Sequence, residues 1–399
     1  RRGEHPIGEP LGEGGARRVV ESGGETGVAD GERPDRDRDA VSGGPAHEAA
    51  YATDRARRDL RPHLMRVAVV GAGSWGTAVA GICATNADVV LWGRSPELVA
   101  TMASTRENAR YLPGYHLPEG VRCEADLHAA CRDADVVVVA VPSHGFRAVL
   151  AEAAPAIAPD TAIVSLTKGV EIGTRARMTQ IVGAVLPRNA DVAVLTGPNL
   201  VGEIAAGQPT ASVVASAAPV VAARLQRLFS TPTFRVYTNT DVVGCEVAGA
   251  MKNVIALAVG AAAGFGYGEN TRAALITRGL AEMTRLGVAL GGDPLTFAGL
   301  AGVGDLVATC SSERSRNRRV GFEFGQGRTL AEITADTPQV AEGLRTAVAV
   351  ADLAAEHGVE LPITGMVRAV VEGRDVPADF LEVFMGREAK AELDGIRPA

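Results

Sequence analysis

The chain has 399 residues, with 40 Lys+Arg against 47 Asp+Glu and a net charge of −7. That balance leaves no basic surplus for neutralising phosphates in number and argues against a nucleic-acid partner, while 46 % hydrophobic and 22 % charged residues exclude a fibrous or wholly disordered chain. The five cysteines (Cys83, Cys123, Cys131, Cys245, Cys310) are odd in number, lack CxxC spacing and sit in apolar stretches, which reads as a reduced, cytoplasmic protein with neither a disulfide frame nor a bound metal.

Residues 1–64 hold 11 Gly, 5 Pro, 11 Arg and 13 Asp+Glu with one aromatic, Tyr51. Such a segment cannot bury enough apolar surface to offset its ordering entropy, so it reads as a disordered tail. No apolar core follows its arginines, unlike a signal peptide. Met65 stands directly before the first strand-like run. It is therefore a candidate native start, which would make the tail an upstream extension or an artefact of start assignment.

From Met65 onward, Val/Ile/Ala runs at 66–70, 88–91, 135–141, 161–166, 191–195 and 211–215 alternate with helix-like segments. They are apolar throughout, as strands of a parallel sheet covered on both faces should be. After about residue 245 the β-branched runs stop. Ala- and Leu-rich helical patterns follow at 245–263, 271–286, 329–334 and 340–356. The expectation is an α/β chain: an N-terminal Rossmann-type doubly wound parallel sheet over 65–245, then an all-helical domain over 246–392. The longest uninterrupted apolar run, 254–264, falls short of the roughly 20 residues a membrane span needs.

The first run ends in Gly71-Ala-Gly73-Ser74-Trp75-Gly76-Thr77, a G-x-G-x-x-G pattern after a strand and before a helix. Gly71 permits the tight turn, Gly73 lets backbone approach a pyrophosphate, and Gly76 lets the helix pack on the strand. The free N–H groups of the helix start complete an anion site. The second strand ends at Leu91-Trp92-Gly93-Arg94. An NAD site usually places an acid there, whereas a guanidinium can pair with a 2′-phosphate, so NADP is favoured or at least tolerated alongside NAD. A solvated turn arginine would look the same.

Only Lys168, Lys252 and Lys390 are lysines among 40 basic residues. Where arginine serves every generic positive position, a retained lysine marks a place that needs a compact ammonium whose pKa can move. Lys168 lies in Ser165-Leu-Thr-Lys168-Gly169 at a strand's carboxyl end, beside the similar turns Val141-Pro142-Ser143 and Gly197-Pro198-Asn199. In open α/β sheets that is where ligands bind. Lys252 has no other charge between 247 and 268, and Glu246 is six residues away, off its helical face. Desolvation should lower the pKa of such a lysine and suit it to proton transfer. A lysine snorkelling at a domain seam would give the same pattern. Asp305 and Thr309 share one face if helical, and Ser315-Arg316-Asn317-Arg318-Arg319 is either a phosphate fork or a solvated face. Val340-Ala-Glu342-Gly343 opens another helix, and alone its acid reads as a helix-terminal charge.

Together these motifs resemble the bacterial NAD(P)-dependent glycerol-3-phosphate dehydrogenases: G-x-G-S-W-G-T-A at 71–78, S-L-T-K-G at 165–169, G-P-N at 197–199, K-N at 252–253, G-D-L-x-x-T-C at 304–310, S-R-N-R-R at 315–319 and V-x-E-G at 340–343. The resemblance runs in order from Met65 to about residue 390. It implies reversible reduction of dihydroxyacetone phosphate to sn-glycerol 3-phosphate with NADP or NAD, supplying phospholipid synthesis, in a cytoplasmic homodimer. By resemblance, Lys252 is the proton donor and acceptor. Lys168, Gly197, Asn199, Asp305, Ser315, Arg316 and Asn317 are substrate contacts, joined by Asn253 and Thr309 as orienting groups. Ser74, Trp75, Arg94, Lys168, Val201, Arg316, Val340 and Glu342 are cofactor contacts beside Gly71, Gly73 and Gly76. Asn199 and Val201 depart from the family's usual small hydroxyl residue and alanine. A related dehydrogenase acting on ketopantoate or a 3-hydroxyacyl thioester would share the plan, and a dinucleotide-binding sensor would need neither Lys252 nor the phosphate cluster.

Overall fold

The computed structural model describes residues 64–188, 191–336 and 342–374. Val340, Lys390 and residues 1–63 of the expected tail lie outside them.

In chain order the elements are β1 Met65–Val70, α1 Ser74–Cys83, β2 Ala87–Trp92, α2 Pro96–Thr105, β3 Val121–Glu124, α3 Leu127–Cys131, β4 Val136–Val139 and α4 Ser143–Ala153. Then come β5 Ala162–Ser165, α5 Met178–Val185, β6 Val192–Thr196, α6 Val201–Ala205, β7 Thr210–Ala215, α7 Pro219–Phe229 and β8 Phe234–Asn239. The helical region comprises α8 Val242–Gly264, α9 Glu269–Ala289, α10 Pro294–Phe297, a π-helical turn Leu300–Gly304, α11 Asp305–Ser311, α12 Arg316–Gly325, α13 Leu330–Asp336, α14 Glu342–Glu356 and α15 Pro362–Val371.

The strands form one sheet in the order β3-β2-β1-β4-β5-β6-β7-β8. Successive residues of the central strands serve opposite faces: Val67, Val69, Val136 and Val138 pack in one cluster, Ala68, Val70, Val137 and Val139 in another. Covered on both sides, these strands have no polar face to show, which is why their sequences do not alternate. The parallel expectation needs one correction, because β7 runs antiparallel to β6. The two strands absent from the sequence reading, β3 and β8, are the sheet's edges. Their partial exposure admits Arg122, Glu124, Arg235 and Asn239, so they lack the apolar signature of a central strand.

α8 is the axis of the helical region. It starts about a turn before the helical pattern read over 245–263, because Asp241 caps it, accepting from Gly244 N at 2.8 Å. At 23 residues it is long and apolar enough to cross a membrane, which corrects the shorter run read from sequence. Yet 89 % of its most apolar window is buried within the protein. Its apolarity serves the core formed with α9, α12, α14 and α15. A second such window, Pro294–Ser311, is broken into α10, the π turn and α11. α8 and α12 touch backbone to backbone: a Cβ on Gly260 would lie 2.0 Å from Arg318 O, and one on Gly321 2.0 Å from Leu257 O.

Candidate active site

The strand order reverses between β2-β1 and β4-β5, and the crevice beyond the carboxyl ends of β1 and β4 is the place where doubly wound sheets hold dinucleotides. The glycine turn fills it. Gly71 adopts φ +124°, and a Cβ there would come 2.6 Å from Ala140 O at the end of β4. At Gly76 a Cβ would lie 1.9 Å from Gly71 O, so helix and strand meet without space for a side chain. Gly73 is the opposite case, since a Cβ would touch nothing within 4 Å. That open cradle faces the start of α1, whose N-cap offers no side-chain hydrogen bond to the first N–H groups. The buried Trp75 indole Nε1 also lacks a partner among the described residues. Glycine steric demands, an open cradle and unsatisfied donors together fit a bound pyrophosphate. Arg94 is exposed just past β2, and Val201 opens α6, which packs on α1.

One support of this turn was not legible in the sequence. Asn108 is fully buried, and its amide donates to Ala72 O at 2.9 Å and Thr77 Oγ1 at 2.7 Å, bracing the turn between Gly71 and Gly73.

The second cluster gathers on Asp305, whose side chain is fully buried at the first residue of α11, directly after the π turn. Lys168, on the loop after β5, donates to Asp305 Oδ2 at 2.6 Å and Gly197 O at 3.0 Å. Lys252, midway along α8, donates to Asp305 Oδ1 and to Thr309 Oγ1 at 2.9 Å. Thr309 in turn donates to Asp305 O at 2.6 Å. Each ammonium has three N–H donors, so each keeps one beyond these two contacts. Burial pushes the Lys168 ammonium down to about 8; the Asp305 carboxylate opposes that shift, and the neighbouring Lys252 charge adds to it. Gly249, one turn before Lys252, makes room for Lys168, whose Cγ would be 3.4 Å from a Cβ there.

The segment 315–319 divides. Ser315 caps α12, accepting from Arg318 N at 3.3 Å. Arg316 is exposed at the first helical position, with its charge acting on Glu342. Asn317 donates to Asn253 Oδ1 at 3.0 Å and accepts from Gly343 N at 3.1 Å, locking the start of α12 beside Lys252. Arg319 instead approaches Glu323 at 3.8 Å and is exposed, so for that residue the solvated face is the one observed. Glu342 accepts from Ser143 N at 3.2 Å, and burial pushes its carboxyl up against the pull of Arg316, Lys168 and Lys252. Asn199 Oδ1 accepts from Ser212 Oγ at 3.3 Å, while its buried Nδ2 has no partner among the described residues. Lys168, Gly197, Lys252, Asp305 and Thr309 are thus brought onto one hub. Asn253 and Asn317 are beside it, and the glycine turn forms the other half.

Two family models match the chain. The N-terminal region of NAD-dependent glycerol-3-phosphate dehydrogenase matches residues 66–222, and its C-terminal region matches 241–382. A glycerol-3-phosphate dehydrogenase [NAD(P)+] of Streptomyces coelicolor is 54 % identical over 330 residues, covering 82 % of this chain and 98 % of the relative. That of Thermobifida fusca is 50 % identical over 336 residues, covering 84 % and 100 %. The crystal structure of glycerol-3-phosphate dehydrogenase from Coxiella burnetii superposes with a TM-score of 0.78 at 38 % identity, covering 82 % of this chain and all of that one. A ketopantoate reductase from Ralstonia eutropha, at 18 % identity and a TM-score of 0.51, shares the fold alone.

Proposed function

The chain belongs to the NAD-dependent glycerol-3-phosphate dehydrogenase family, and from that premise we propose how its crevice works. It is an NAD(P)-dependent oxidoreductase that reversibly reduces dihydroxyacetone phosphate to sn-glycerol 3-phosphate. The observation that carries the reading of the site is the buried carboxylate of Asp305 shared by two lysines.

The glycine turn, Ser74, Trp75, Arg94 and Val201 would hold the dinucleotide, with Glu342 and the charge of Arg316 near the second lobe; Val340 is assigned by family resemblance. Once bound, the reduced cofactor supplies the hydride. The protein's own residues do the rest. Lys252 spends two N–H bonds on Asp305 and Thr309 and directs the third at the substrate's C2 oxygen, to which it gives its proton as negative charge develops there. In the reverse direction it accepts that proton. Lys168, tied to Asp305 and to Gly197 O, offers its remaining donor to a substrate oxygen. Asn199 Nδ2, a buried donor with no partner among the described residues, offers another. Arg316, Ser315 and Asn317 at the start of α12 hold the phosphate, and fixing that end orients C2. Arg94 carries the charge to pair with a 2′-phosphate, consistent with use of NADP as well as NAD.

Supply of glycerol 3-phosphate to phospholipid synthesis, assembly as a homodimer, and a division of the chain near residue 245 follow from the family resemblance and the change in sequence pattern. A cytoplasmic site of action is supported by five cysteines that are all free. Lys252→Ala should lower turnover of dihydroxyacetone phosphate about a hundredfold or more and leave the Kd for NADPH, followed by fluorescence, unchanged. Turnover like that of the wild type would remove Lys252 from the mechanism.

A further inference from the structure

Glu246 has no part in the chemistry above, yet it is one of the most fully bonded carboxylates among the described residues. It is 8 % exposed on α8, six residues before Lys252. It accepts from Arg177 Nη1 at 2.5 Å, Thr179 N at 2.8 Å and Thr179 Oγ1 at 2.6 Å. Arg177 closes the loop that carries Lys168, and Thr179 lies in the first turn of α5 directly after it. After β5 the chain presents Lys168, turns back on itself, and pairs Val170 with Arg177 in an antiparallel bridge. Glu171 N donates to Ala176 O at 3.0 Å inside the same turn. Arg177 is therefore linked through the bridge to a residue two positions from Lys168. Gly249, between Glu246 and Lys252 on the helix, adjoins the stem of Lys168.

The result is a closed circuit. It runs from Lys168 across the bridge to Arg177, over to Glu246, along about one and two-thirds turns of α8 to Lys252, and back through Asp305. A buried ion pair seldom gains stability over an apolar pair of the same shape, so its geometry is the more telling property. The turn's other charge pairs, Arg147–Glu171 and Arg175–Glu356, lead to helices that carry neither lysine. We propose that Glu246 is a positioning residue: by clamping the Lys168 segment to α8, it sets how the two ammoniums meet across Asp305. This rests on the assignment of Lys168 and Lys252 to the reaction.

The test is a cycle of steady-state kinetics on the full-length enzyme with Glu246→Ala, Glu246→Gln and Lys168→Met, alone and combined, and Arg175→Ala as a control at the half-exposed Arg175–Glu356 pair. Glu246→Ala should lower kcat by about tenfold to a hundredfold while the Kd for NADPH stays within about twofold. Glu246→Gln should recover part of that loss, because an amide oxygen still accepts from Thr179 N. In the Lys168→Met background, adding Glu246→Ala should cost less than about twofold further, since the clamp acts through the lysine. If Glu246→Ala does not fold, Glu246→Gln in the two backgrounds gives the same reading. Equal losses in both backgrounds, or an unchanged kcat, would overturn the clamp and leave the lysines in place. Wild-type turnover of Lys168→Met would instead overturn the site assignment, and the clamp with it.

Discussion

Between Gly71 and Gly76 the protein presents backbone and no charge. Around Asp305 it presents two ammoniums and one carboxylate from segments far apart in the chain. The first site is made by leaving atoms out, so that carbonyls and N–H groups can come close. The second is made by bringing charges in, and it leaves a formal surplus of one positive charge for an anionic substrate. A turn of the first kind is local and fails when an atom is added. A hub of the second kind is distributed and fails when its balance is disturbed.

The contrast is tested hardest at Asp305. Asp305→Ala should lower turnover by about a hundredfold or more and stability by about 3–5 kcal/mol, because two buried ammoniums lose their counter-charge. Its NADPH affinity should be close to that of the wild type. Kinetics, thermal melting and a binding titration read the three effects, and an unimpaired variant would end the idea of a charge-balanced hub. Gly76→Ala should do the reverse. Its Cβ would press on Gly71 O, costing about 1–3 kcal/mol and weakening NADPH binding about tenfold, with the KM for dihydroxyacetone phosphate little changed at saturating cofactor.

The smallest effect is in pH. Burial brings the Lys168 ammonium down to about 8, so its charge is present below that pH and lost above it. The KM for dihydroxyacetone phosphate should rise a few-fold between about pH 7 and 9, and Lys168→Arg, which stays charged, should flatten that rise. The linkage has a definite sign. The folded value lies below the ordinary 10.5, so between the two the unfolded chain binds the proton that the folded chain sheds, and this group's contribution to stability increases with pH over that interval.

The same contrast explains what could be read from the sequence. The turn from Gly71 to Gly76 is contiguous, and its steric demands are written in glycine spacing. Central strands buried on both faces announce themselves as unbroken apolar runs. β3 and β8 do not, because edges tolerate charge. The scarcity of lysine pointed to Lys168 and Lys252, but their common carboxylate lies 137 and 53 residues away along the chain, and no local pattern encodes that meeting. Asn108 was missed for the same reason: a polar residue in a loop carries no mark of being buried against a distant turn. Glu246 was read only as too distant to pair with Lys252 along the helix, when its partners were on another segment altogether.

The backbone contact between α8 and α12 has a practical consequence. Lys252 and Asn253 ride on one of these helices and Ser315, Arg316 and Asn317 on the other, with glycines at the crossing so that main chain rests on main chain. On the proposed reading, the span from Lys252 at the proton-transfer end to the phosphate end at residues 315–317 is therefore gauged by peptide atoms, which cannot repack as side chains do. Trimming the residues that line the pocket would reshape its walls and leave its length alone. To admit a longer ketone phosphate, the helices themselves would have to be spread at that crossing.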